Sequence, residues 1–128
     1  DAPIDVVDAW NDERSGHVLS VALDREASHL VAGGDGFVAT FAADQLAAGP
    51  VAITEAEGHN AVGAVLLASG ALFVTAGSEG SLRVWNVETA APLATLTIPA
   101  AIGIAANREG TRLYTSGADG RLHAFGCQ

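Results

Sequence analysis

Apolar and polar positions alternate with a period of two along most of this chain, and that alternation predicts strands. In Ser81–Trp85, Leu82 and Val84 point to one side while Ser81, Arg83 and Trp85 point to the other. Leu122 and Ala124 stand in the same relation to Arg121, His123 and Phe125, as do Val38 and Thr40 to Phe37, Ala39 and Phe41. β-Branched and aromatic residues in short runs bounded by glycine argue for strands. No apolar run of helical period lasts ten residues without glycine or proline. The pattern predicts twelve strands, over 4–10, 18–23, 29–33, 37–42, 51–55, 61–67, 72–76, 81–86, 93–97, 101–106, 112–116 and 121–126.

The alternation recurs in three copies of one strand–turn–strand unit. They run from Val31 to Phe41, from Thr75 to Trp85 and from Thr115 to Phe125, and their first glycines, Gly33, Gly77 and Gly117, are 44 and 40 residues apart. Periods of about 40–45 residues mark blades or solenoid turns. Each unit turns through glycine, at Gly34-Asp35-Gly36, Glu79-Gly80 and Asp119-Gly120, where a tight hairpin needs positive φ. A second turn precedes each unit, at Asp24–Ala27, Ala68–Ala71 and Asn107–Gly110, with a further apolar strand before it. Four strands per period give three blade-sized sheets.

Composition narrows the partners. Apolar residues make up 49% and charged residues 16%, against about 25% charged in an ordinary soluble domain, which implies that other surface covers part of the chain. The net charge is −9, and the only cations besides histidine are six scattered arginines. Phosphate recognition needs clustered cations, so neither nucleic acid nor an anionic membrane surface is expected. The five acids of residues 1–13 lack the oxygen ladder and turn glycine of a calcium loop. The greasy stretches 61–77 and 93–106 are broken by Ser69-Gly70 and Pro99, so no direct membrane span is expected. The chain does not begin with methionine, which points to processing, to export with loss of a signal, or to excision from a longer protein.

Chemistry-bearing residues are sparse. His29 and His123 have no second histidine or cysteine at metal-ligand spacing, and Cys127 is the only cysteine. No metal, cofactor or catalytic residue is expected. Ser15-Gly16-His17 with Asp35 has triad composition but no glycine-flanked serine elbow. The glycine turns lack the lysine and following helix of a phosphate loop. Trp10, Phe37, Arg83 and Arg121 are equally readable as interface anchors or as buried residues.

The units resemble blades of the WD-repeat β-propeller family. The family's Gly-His is matched by Gly16-His17 and Gly58-His59, its hairpin aspartate by Asp35 and Asp119 with Glu79 as a departure, and its Trp-Asp by Trp85-Asn86. Phe41 and Phe125 take the tryptophan place, and Ile98-Pro99 stands where the third Gly-His would be. The resemblance implies an all-β fold of three four-stranded antiparallel blades forming part of a propeller, with units of about 16–57, 58–97 and 98–128. It also implies a structural hydrogen-bonded set of histidine, acid, strand hydroxyl and tryptophan. Carried over, His17 meets Asp35, and His59 meets Glu79 and Trp85. Asp119 belongs to a third set whose hydroxyl is Ser116, while Ala32 and Ala76 leave the other two without one.

Closed propellers have about 4–8 blades, so three cannot close a ring. The expected function is a non-enzymatic protein–protein interaction or assembly module whose partners are protein subunits. Two copies would give six blades and three copies nine; a different subunit could supply the rest, or the chain could be a fragment of a longer propeller. Strand 4–10 would then complete a blade of another chain or of the remainder. The alternative is a propeller subunit or domain of an exported enzyme or redox complex. A propeller hydrolase is a third possibility.

Overall fold

A computed structural model describes residues 17–24, 26, 28–67 and 70–126, and there the chain is all-β with one short 3-10 segment. The strands are β1 (Val18–Leu23), β2 (His29–Ala42), β3 (Ala52–Leu66), β4 (Leu72–Gly77), β5 (Ser81–Asn86), β6 (Pro92–Thr97), β7 (Ala101–Ala106), β8 (Arg112–Gly117) and β9 (Leu122–Gly126). Within each sheet consecutive strands pair antiparallel. β1 to β6 make one six-stranded sheet and β7 to β9 a three-stranded sheet. The strand expected over 4–10 lies outside the described residues.

Two expected strand boundaries carry no gap in the ladder, although the turn expected at Gly34-Asp35-Gly36 is present. The stretches 29–33 and 37–42 are one unbroken strand, β2. Ala43 N–H donates to Ser28 C=O at 3.0 Å, whereas fourteen extended residues would span about 46 Å, so β2 folds back on itself. It does so at Asp35-Gly36, with Gly36 at φ 82°. That two-residue turn is so short that Gly34 and Phe37 stay within the strand. The stretches 51–55 and 61–67 likewise merge into β3. Its first half pairs with β2 (Thr40↔Ala52 through Phe37↔Glu55), its second half with β4, and Asp35↔Asn60 bridges the link between them. The 3-10 segment Ala43–Ala48 joins β2 to β3 where no element was expected.

One ladder irregularity occurs three times. Val18↔Gly34 then Ser20↔Gly33, Ala61↔Gly77 then Gly63↔Ala76, and Ala101↔Gly117 then Gly103↔Ser116 each skip one residue on the first strand. Beyond the skip come Val21↔Ala32, Ala64↔Thr75 and Ile104↔Thr115. By this register Ala32, Thr75 and Thr115 are equivalent positions. β1, the second half of β3, and β7 are the equivalent first strands of their units.

The core lies between units. Val31 and Val38 of β2 pack against Phe73, Trp85 and Val87, with Phe73 and Trp85 stacked at 6.2 Å between ring centroids. On the other face of β4, Val74 and Ala76 join Leu82, Ile98, Ala101 and Leu113. β4 is thus apolar on both faces, the condition of a strand between two neighbours. A third buried cluster, Ala32, Phe37, Ala39 and Phe41 with Leu30 and Leu46, lies on the far face of β2. Phe37, readable from sequence as a surface anchor, is buried there.

The first strands approach closely. A Cβ added at Gly63 would lie 2.7 Å from Ile104 Cγ2 and 2.9 Å from Ile104 N, whereas one at Gly103 would meet only Ser116 Oγ at 3.3 Å. Because backbone is involved at Gly63, the joint cannot relax by a rotamer change. Gly63→Val is expected to destabilise the fold by about 2–3 kcal/mol, and Gly103→Ala by well under about 1 kcal/mol. Urea unfolding midpoints of the two variants check the contrast.

Candidate functional site

The chemistry of the described chain is concentrated where β3, β4 and β5 of the second unit meet. His59, fully buried, sits in β3. Its Nε2 lies 2.7 Å from Thr75 Oγ1 on β4, and its Nδ1 lies 2.8 Å from Glu79 Oε2 in the β4–β5 turn. Trp85 Nε1 donates to the same Thr75 Oγ1 at 2.8 Å. Cross-strand partners share a face, and Phe73↔Trp85 with Thr75↔Arg83 therefore put Thr75 on the tryptophan side of the sheet.

Donor and acceptor chemistry gives this set one direction. An indole N–H can only donate, so Thr75 Oγ1 accepts from Trp85 and its own hydrogen is left for His59 Nε2. His59 Nε2 is then an acceptor, and the ring proton sits on Nδ1, donated to the Glu79 carboxylate. Ser81 Oγ–H donates to Glu79 Oε2 and accepts from Arg83 Nε at 3.2 Å. It also lies 3.0 Å from His59 Nδ1. Asn60 N–H donates to Glu79 Oε1 at 3.1 Å.

The titration of the pair follows from this arrangement. Burial lowers the His59 pKa below its ordinary value and outweighs the pull of Glu79 toward the charged form. Burial would raise Glu79, but hydrogen bonds from His59, Ser81 and its own amide outweigh it and hold the carboxyl below the usual range. The resting pair is neutral imidazole and carboxylate. The members of the set are bonded to one another: His59 to Thr75 and Glu79, and Trp85 to Thr75.

The other two units do not reproduce it. His17 Nδ1 lies 3.1 Å from Asp35 Oδ2, but the His17 side chain is 87% exposed and Ala32 occupies the hydroxyl position. In the third unit, Asp119 accepts from Arg121 N–H at 3.0 Å and lies 3.0 Å from His123 Nε2, a histidine of β9 four residues on. Ser116 faces Gly103, away from the position expected of it. Thr115 stands there instead, buried, and its Oγ1 has no hydrogen-bond partner. Pro99 and Phe125 take the histidine and tryptophan places.

The hydroxyl position is a correction of one residue. Ala76 and Ser116 were the expected positions; Thr75 and Thr115 are the observed ones, while Ala32 is right for the first unit. The cause is the β2 hairpin, whose turn is one residue shorter than the others, so aligning units on their turn glycines shifts the strand before the turn. The signal was available in parity: Phe73 and Thr75 alternate onto the Trp85 face, and Ala76 does not.

A second polar arrangement went unread. Asp24 Oδ1 accepts from Ser28 N at 2.6 Å and His29 N at 3.1 Å, while Oδ2 engages Ser28 Oγ at 2.6 Å and His29 Nδ1 at 3.0 Å. Burial opposes ionisation of Asp24, but these donors hold its carboxyl far below the usual range. Asn107 clamps the equivalent turn through Thr111 N and Arg112 N. An Asx residue four before a Ser or Thr, at Asp24 and Asn107, was the available sign. These turns, with Glu26, Leu67, Gly70 and Arg108, line a cavity of about 520 Å³. Among the described residues no group of three His, Cys, Asp or Glu could hold a metal ion, and no helix is long and apolar enough to cross a membrane.

Residues 51–86, which contain β3, β4, β5 and the complete hydrogen-bonded set, match the family model described as WD domain, G-beta repeat. That match, to one repeat within the chain, supports a WD-repeat family. No curated protein matches it.

Two outcomes test the set. Thr75→Val leaves the Trp85 N–H and His59 Nε2 buried without partners and is expected to cost about 2–5 kcal/mol. Thr115→Val, which removes an orphan hydroxyl, is expected to be neutral or stabilising by about 1 kcal/mol. Urea melts of both variants decide this. Stability should also fall on acidification. The unfolded chain takes a proton at His59 as pH drops through 6.5 while the folded chain resists it, and Glu79 adds a second loss below 4.5. His59→Gln should flatten the part of the midpoint-versus-pH curve between those two values.

Proposed function

We propose that the chain forms three blades of a β-propeller, over about 16–57, 58–97 and 98–128, and acts as a protein–protein interaction module. It is complete only when other protein chains cover its open faces. WD repeats are typically non-catalytic interaction domains, and the matched segment supports that reading. One observation carries it: large apolar side chains stand exposed at both ends of the array. These are Val18, Val21 and Leu23 on β1, and Ile102, Tyr114 and Leu122 on the three-stranded sheet. Exposed apolar patches of this kind mark association surfaces, and their equivalents inside the array are packed. The small number of charges and the scattered arginines fit a protein partner rather than nucleic acid.

Native mass spectrometry and sedimentation of the purified protein test the reading. A complex with further protein chains, like or unlike, is expected. A monodisperse species of 12.9 kDa that stays folded on dilution would overturn it.

A further inference from the structure

The Asp24 clamp fixes more than its own turn. A carboxylate can only accept, so His29 Nδ1, 3.0 Å from Asp24 Oδ2, carries the ring proton and donates it there. Nε2 of the neutral ring is left as an acceptor. Ser28 Oγ–H donates to Asp24 Oδ2 at 2.6 Å, and the N–H groups of Ser28 and His29 are spent on Oδ1. The donors of this segment are thus taken up by Asp24.

Ser28 and His29 line a pocket of about 280 Å³ between the two ends of β2 and the segment that follows β5. Thr40, Val51, Val87 and Glu88 are among its other walls. Thr40 is 1% exposed, and its Oγ1 has no hydrogen-bond partner. A buried hydroxyl left unpaired carries a desolvation cost that a bound donor removes.

The polar lining is one-sided. Glu88 is exposed, can only accept, and makes no ion pair among the described residues. His29 Nε2 accepts, and Thr40 Oγ1 can accept. No arginine lines the pocket, and the chain carries a net charge of −9. Val51 and Val87 supply an apolar wall. The group that fits is a cation bearing several N–H donors on a short apolar stem. A primary ammonium has three such donors, and the lining has three acceptors for them. A guanidinium is favoured where its fork meets a carboxylate side-on, whereas the buried acceptor here is a single hydroxyl oxygen. The volume falls just below the range of drug-sized ligand sites and suits one side chain.

We propose that this pocket is a docking site for a lysine side chain of a protein partner, its ammonium held by Thr40, His29 and Glu88 and its stem against Val51 and Val87. The inference rests on the interaction-module reading above and adds to it what the partner presents.

Methyl NMR of the full chain titrated with n-butylammonium, which reproduces the lysine side chain, tests it. Saturable shifts confined to the methyl groups of Thr40, Ala42, Val51 and Val87 are expected in the millimolar range, with 1-butanol binding about tenfold more weakly. Thr40→Val and Glu88→Gln should each weaken n-butylammonium binding by about tenfold. Urea midpoints of both variants should not fall, because Thr40 Oγ1 has no partner to lose and Glu88 is exposed. No saturable shift at tens of millimolar, which would leave water alone as the occupant, overturns the lysine site. So does equal binding of 1-butanol, or a Thr40→Val or Glu88→Gln protein that binds as the wild type does. None of these results touches the module reading, which the mass of the native complex decides.

Discussion

The close approach of the first strands at Gly63 and Ile104 is the constraint on which the rest of the fold depends. No strand pairing links the six-stranded sheet to the three-stranded one, and apart from Ile98 N–H donating to Gly80 C=O at 3.0 Å the third unit meets the second through packing. Packing at interior density requires that one backbone come within van der Waals distance of another. Only a residue without a side chain allows that at position 63. With Ile104 seated there, Leu113 and Ala101 come down on Val74, Ala76 and Leu82, and both faces of β4 are buried. Removing the notch would therefore loosen the core on the far side of β4 as well as the joint itself.

Within the second unit, a different constraint holds the strands in register. A buried imidazole and a buried indole N–H each need a partner, and one threonine hydroxyl serves both. Because the indole can only donate, the hydroxyl's own hydrogen must go to His59, and the histidine proton must go to Glu79. The tryptophan that fills the first core cluster is thus tied to the turn that starts β5. Packing of Phe73 on Trp85 and the polar set support the same arrangement, a consistency between levels that narrows the alternatives open to the chain.

Much of this was readable from residue types. Period-two alternation placed the strands from 18 onward because each face meets a different neighbour. At two junctions it expected gaps where the ladder pairing runs on. Gly36 and Gly58 do leave the extended region, at φ 82° and φ 79°, but the turns are short enough for pairing to continue beside them. His59, Glu79 and Trp85 could be named because their polar groups demand partners. Thr75 could not be placed by aligning glycines, since a one-residue difference in hairpin length moves the strand before the turn. The Asp24 clamp was missed because it is local and leaves the hydrophobic pattern unchanged.

The three units differ in how their polar set is treated, and the difference explains why one segment alone matches the WD family. Residues 51–86 contain histidine, acid, hydroxyl and tryptophan together. In the first unit the acid and histidine meet in solvent, and alanine and phenylalanine replace hydroxyl and tryptophan, although the Thr40 hydroxyl stays buried without a partner. In the third unit, proline and phenylalanine remove the histidine and indole, but Thr115 remains, buried with nothing to bond. An orphaned hydroxyl in a strand that would close well with valine is a local conflict of the kind that weakens a unit. By this measure the first and third units each carry one such conflict, at Thr40 and Thr115, whereas in the second unit the buried hydroxyl of Thr75 serves both His59 and Trp85.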